Sequence, residues 1–141
     1  MSVQQEINTY ISSQPEAKRN DMLELHKLIL ALNPTGKLWF LDGKNSENKV
    51  VTNPNIGYGF QTLHYADGSS KPFYQVGFCA TSSGISIYIL SIADKTYLSK
   101  TYSSTIGKAS ITGYCIKIKN LKTIDLDVLK AALQDGFNSS K

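Results

Sequence analysis

Arginine is almost absent from this chain: of fifteen cationic side chains only Arg19 carries a guanidinium. Readers of base edges and phosphates favour that group for its planar, bidentate fork, whereas lysine supplies an attraction that salt screens. The composition therefore argues against nucleic acid as the partner, despite a net charge of +4. Cysteine is scarce too. Cys79 and Cys115 are too few for a disulfide framework, and reduced thiols point to the cytoplasm. No apolar run approaches the ~20 residues a bilayer span needs. No basic start followed by an apolar block marks a secretory leader, so neither export nor a membrane partner is expected.

Motif spacing is equally sparse. His26, His64, Cys79 and Cys115 lie far apart, with no C-x-x-C or H-x-x-H pair, so no metal is expected. The glycines of "NIGYGF" are not followed by a dinucleotide or Walker pattern, and no cofactor is expected either. Asp125 and Asp127 stand at a helix start, and Asp42 and Asp67 precede glycines at turns, which accounts for them without catalysis. One chemical possibility remains. Cys115 shares a strand face with Lys117 and Lys119, and nearby ammonium groups lower a thiol pKa.

What is present fits one domain. With 141 residues and 41% hydrophobic composition, the chain buries a core without staples. Ser13 and Glu16 read as a capping box, with Pro15 in the first turn of a helix. Met22, Leu25, Leu28, Ile29 and Leu32 give that helix an apolar stripe, and "NPTG" ends it. His26 sits at the edge of the stripe, the place of a packed, hydrogen-bonded histidine. "KLWFLDGKNSENKVV" reads as strand, polar connection and strand, and the segment from Asn53 to Phe78 adds two more. "GISIYILSI" alternates, with Ile85, Ile87 and Ile89 on one face and Ser86, Tyr88 and Leu90 on the other. A short helix follows with Asp94 as its cap. "GKASIT" then reads as a loop and "GYCIKIK" as a strand. Asp125 caps a last helix carrying Leu126, Leu129 and Leu133, and Gly136 is its expected terminator.

This order predicts an α+β fold, a mostly antiparallel sheet with N- and C-terminal helices on one face. The expected organisation is an N-terminal extension over residues 1–14, one domain over 15–136, and a frayed tail over 137–141. The aromatics are mostly Tyr, with an apolar body and a polar tip. Tyr58, Tyr65 and Tyr88 as walls, with Cys115 and the charges of Lys108 and Lys117, form the candidate site for a small anionic or planar ligand. The competing reading has tyrosines covering a sheet face that lysines keep wet, or a homodimer closing over it.

At these residues the chain resembles the YdhG-like domain-of-unknown-function family, α+β proteins compared in architecture with frataxin. The resemblance rests on Gly57-Tyr58-Gly59, Tyr65, Gly77-Phe78 and Ile85-Ser86-Ile87-Tyr88-Ile89. It continues through Gly107-Lys108 and the run Gly113-Tyr114-Cys115-Ile116-Lys117-Ile118-Lys119-Asn120-Leu121, and closes on Ile124-Asp125. It spans residues 15–133 and implies the fold above. It also implies intracellular iron handling, by analogy with frataxin. Iron delivery needs a ridge of carboxylates, and the eleven acids here are scattered. Three departures stand out. Cys79-Ala80-Thr81-Ser82-Ser83 replaces the family's S-P-R-K turn, Tyr114 stands where a lysine is usual, and residues 36–55 read as an insertion.

Overall fold

A computed structural model describes residues 2–139. The described residues form helices α1 (Val3–Ser12), α2 (Glu16–Leu32), α3 (Tyr97–Tyr102) and α4 (Leu126–Asn138). The strands are β1 (Leu38–Leu41), β2 (Asn55–Tyr58), β3 (Gln61–His64), β4 (Ser70–Phe73), β5 (Val76–Thr81), β6 (Gly84–Ile89), β7 (Ala109–Thr112) and β8 (Cys115–Ile118). Six of them pair antiparallel in the order β1-β2-β5-β6-β8-β7, while β3 and β4 make a separate hairpin between β2 and β5. The fold is α+β, as the element order predicts.

Alternation decides which face of the sheet is dry. Ile56, Val76, Phe78, Ile85, Ile87, Ile89, Ile116 and Ile118 share the inner face and are all buried. Burying one such side chain is worth about 2 kcal/mol, so this face dominates the core. The helices cover it with stripes at helical spacing: Met22, Leu25, His26 and Ile29 from α2, and Leu129, Ala132, Leu133 and Gly136 from α4.

The N-terminal segment departs from the expectation of an extension. The capping box belongs to Ser2 and Gln5, which bond each other's backbone at 3.2 and 2.9 Å and start α1. Ile7 and Ile11, one turn apart, then enter the core fully buried. Ser13 closes α1, its hydroxyl donating to the Tyr10 carbonyl, and α2 begins after Pro15 with no side-chain cap. The S-x-x-E spacing was there, but the preceding turn already used the serine.

Other expectations are corrected. The expected strand in "KNSENKVV" reduces to one bridge, Lys44 to Val50. Asn45 accepts from the Glu47 and Lys49 amides at 2.9 and 3.1 Å, and that side-chain turn competes with the ladder. "ASIT" is strand β7, placing Ala109 opposite Ile118 and Ile111 opposite Ile116. Gly136 does not end α4, which runs on to Asn138. A Cβ there would stand 2.6 Å from Ile89 Cγ2, so the glycine lets helix and sheet approach closely. Phe137 and Asn138 are therefore helical rather than tail, while Ser140 and Lys141 lie outside the described residues. Asp94 accepts from the amide and hydroxyl of Thr96 rather than capping α3 directly.

Candidate functional site

Cross-strand pairing brings one row of residues onto the outer face. Trp39 stands opposite Gly57, Gly57 opposite Gly77, Gly77 opposite Tyr88, and Tyr88 opposite Cys115. Directly paired residues share a face, so Trp39, Tyr88 and Cys115 look the same way. The next level places Cys79 beside Ser86, Ser86 beside Lys117, and Lys117 beside Ser110. This is the floor of the site.

The two glycines in the row are covered from above. A Cβ on Gly57 would lie 2.3 Å from Tyr74 Cδ2, and one on Gly77 would lie 2.7 Å from the same ring. Only glycine leaves space for Tyr74 to lie flat across β2 and β5. Tyr74 is thereby 3% exposed, and Phe73 stacks on it at 4.3 Å between ring centroids. Trp39 meets Phe73 edge-on at 6.2 Å and Phe60 in a stacked arrangement at 6.4 Å. Its indole N–H donates to the Gly59 carbonyl at 2.7 Å, which fixes the ring. Lys37 lies 4.2 Å from the Trp39 centroid and Lys71 5.0 Å from that of Phe73, both within cation–π range.

Where this roof ends, the thiol and phenol cluster begins. Tyr88 is half-buried, with its hydroxyl 3.8 Å from the Cys79 sulfur. Burial first, and that contact second, push the Tyr88 phenol up to about 12. Burial also raises the thiols of Cys79 and Cys115 above the ordinary cysteine value. Lys117 pulls Cys115 the other way but does not outweigh burial. The activation expected from the lysines on this strand does not arise, and Cys115 is a quiet thiol.

The six predicted residues separate. Tyr88, Cys115 and Lys117 come together on the outer face. Tyr58 does not belong with them, because its place opposite Val76 turns it inward, where it is 2% exposed and hydrogen-bonded to His26 Nδ1 at 2.6 Å. Tyr65 lies in the β3–β4 turn, 46% exposed, and Lys108 is exposed just ahead of β7. Reading the sequence missed Trp39, Phe60 and Phe73. The alternation of "KLWFL" sets Trp39 opposite in facing to Phe40, which was the available signal.

Among the described residues, no group of three His, Cys, Asp or Glu could hold a metal ion, and no helix is long and apolar enough to cross a membrane. Two clefts lie away from the row. One of about 510 Å³ is lined by Glu16, Asp21, Asn120 and Lys122. Another of about 460 Å³ separates the hairpin from the end of α4 and is lined by Gln61, His64, Gln75 and Phe137. Gln61 gives its amide N–H to the Tyr74 carbonyl at 2.9 Å, and its own carbonyl oxygen is buried without a protein partner. Comparison with protein-family models, with curated proteins and with solved structures finds no match for this chain.

Two predictions follow from the titratable groups. Burial lowers the His26 pKa below its unfolded value of about 6.5, so its contribution to stability is complete above that pH and fades as pH falls through it. The urea midpoint of the wild type should therefore drop more steeply between pH 7 and pH 5 than that of His26→Gln, and equal slopes would refute this. Cys115 should react with iodoacetamide at neutral pH more slowly than free cysteine, and Lys117→Ala should slow it further. A rate above that of free cysteine would contradict the assignment of a quiet thiol.

Proposed function

We propose that the protein is a non-enzymatic binding or accessory domain whose working surface is the outer face of its sheet. A small planar or anionic ligand lies on Tyr88 and Cys115, against the wall made by Tyr74 and Phe73, with its charge toward Lys117. The observation that carries this reading is the cross-strand row. It sets a half-buried phenol, a half-buried thiol and a lysine side by side on a face that no helix covers. A ring laid on Tyr88 exchanges water for aromatic and sulfur contacts, while an ammonium on one side selects negative charge.

The alternatives have less support. An enzyme using Cys115 needs an activated thiol, and burial drives this one in the opposite direction. An iron chaperone needs clustered carboxylates on one surface, and the described residues offer no three-membered cluster. A homodimer through the outer face would cover the rings but would also bring the lysines of both copies, Lys37, Lys71 and Lys117, into one interface with no carboxylate on its strands.

A thermal-shift panel of nucleotides, small carboxylates and aromatic compounds tests the reading. A ligand at ~100 times its dissociation constant adds about 2.7 kcal/mol of stability. The shift should be lost in Tyr88→Ala and in Lys117→Ala. A hit that persists in both variants would place the site elsewhere.

A further inference from the structure

The distribution of charge between helices and strands goes beyond what the candidate site required. Among the described residues, none of the eleven acids lies in any strand. Glu6, Glu16, Asp21, Glu24, Asp127 and Asp135 are on helices α1, α2 and α4, and the remaining five are at turns and helix starts. The outer face thus has lysines and no carboxylate along its strands: Lys37 over Trp39, Lys71 over Phe73, and Lys117 on β8. Two of those ammonium groups sit directly on aromatic rings. An extended polyanion meets no repulsion from this surface.

Trp39 and Tyr88 stand three strand separations apart, which is about 14 Å. That length holds roughly three unstacked bases at about twice the 3.4 Å rise of a duplex strand. Phe60, 54% exposed, stacks beside Trp39 and borders the cleft toward α4, and Phe73 is half-buried above Tyr74. Exposed aromatic rings on a sheet with lysines between them serve single-stranded nucleic acid. Every base has a π-face to stack, and phosphates need only point charges. The scarcity of arginine bears on a different task, the bidentate reading of base edges in a groove, which stacking does not require. A face so built also has no use for duplex, whose bases are already stacked.

Resting on the sheet-face reading above, we infer that the occupant of the outer face is single-stranded nucleic acid, bound without sequence preference. Bases stack on Trp39, Phe60 and Tyr88, and phosphates lie against Lys37, Lys71 and Lys117.

Trp39 is the chain's single tryptophan, so its emission reports stacking at the site itself. Titration with a uridine dodecamer should quench that emission, whereas heparin, polyglutamate and a duplex of equal length should leave it unchanged. The logarithm of the binding constant should fall with the logarithm of salt with a slope of about −2, as three phosphate contacts on a single strand require. Phe60→Ala, at an exposed position outside the core, should weaken binding about tenfold, read by a competition assay because the ring also stacks on Trp39. Lys71→Ala should flatten the salt slope by about 0.7, and Lys130→Ala on α4 should change nothing. Equal binding of heparin or duplex, or unquenched Trp39 with the dodecamer, overturns the inference. If the dodecamer fails while the small-ligand panel still gives a shift dependent on Tyr88, nucleic acid is rejected and the sheet-face reading survives. If both fail, both fall.

Discussion

The arrangement of this protein depends on a sheet that has helices on one side only. Its inner face carries Ile85, Ile87, Ile89, Ile116 and their neighbours, closed over by α1, α2 and α4. Among the described residues, no helix covers the outer face. The chain handles that imbalance at its centre by placing glycine at 57 and 77, in adjacent strands and in register, and laying Tyr74 over both. The excursion through the β3–β4 hairpin supplies the ring, because Phe73 and Tyr74 are where the hairpin returns to β5. The same return brings Phe73 and Lys71 beside Trp39. The rings that cover the centre of the exposed sheet also form the wall of the proposed binding surface.

The alternating stretches were legible in the sequence because one strong signal, the dry isoleucine face, decides them. The strand of Ile85–Ile89, the strand of Ile116 and Ile118, and the helices of Met22–Ile29 and Leu126–Leu133 all follow from that. What could not be read was which of two competing local devices would win. Ser13 satisfies both a capping box ahead of it and a C-cap behind it, and the preceding helix takes it. Gly136 suits a terminator, yet a close approach to Ile89 keeps it inside α4. "ASIT" is short and weakly apolar, and becomes a strand because β8 offers it a partner. Tyr58 was misassigned for a different reason. Its facing depends on the register between β2 and β5, a long-range fact, and that register turns it toward His26 rather than toward Tyr88.

On the proposed reading, the outer face serves as a platform. Its thiols and its central phenol are all pushed toward their neutral forms by burial, so they present polarizable surface near neutral pH. Charge comes only from lysines at the margins, with carboxylates confined to helices and turns. On that reading, affinity comes from stacking and long-range attraction, both of which tolerate many sequences. Lys37 and Lys71 stand over Trp39 and Phe73, at the β1 end of the row.

The central claim is that the outer face of the sheet is where this protein meets its ligand. Amide chemical-shift mapping during titration with a uridine dodecamer tests it residue by residue. The account predicts that the perturbed amides cluster on β1, β4, β6 and β8, around Trp39, Phe73, Tyr88 and Lys117, and leave α2 and α4 unmoved. Perturbations confined to the cleft of Gln61, His64 and Phe137, or spread over the helical side, would contradict it.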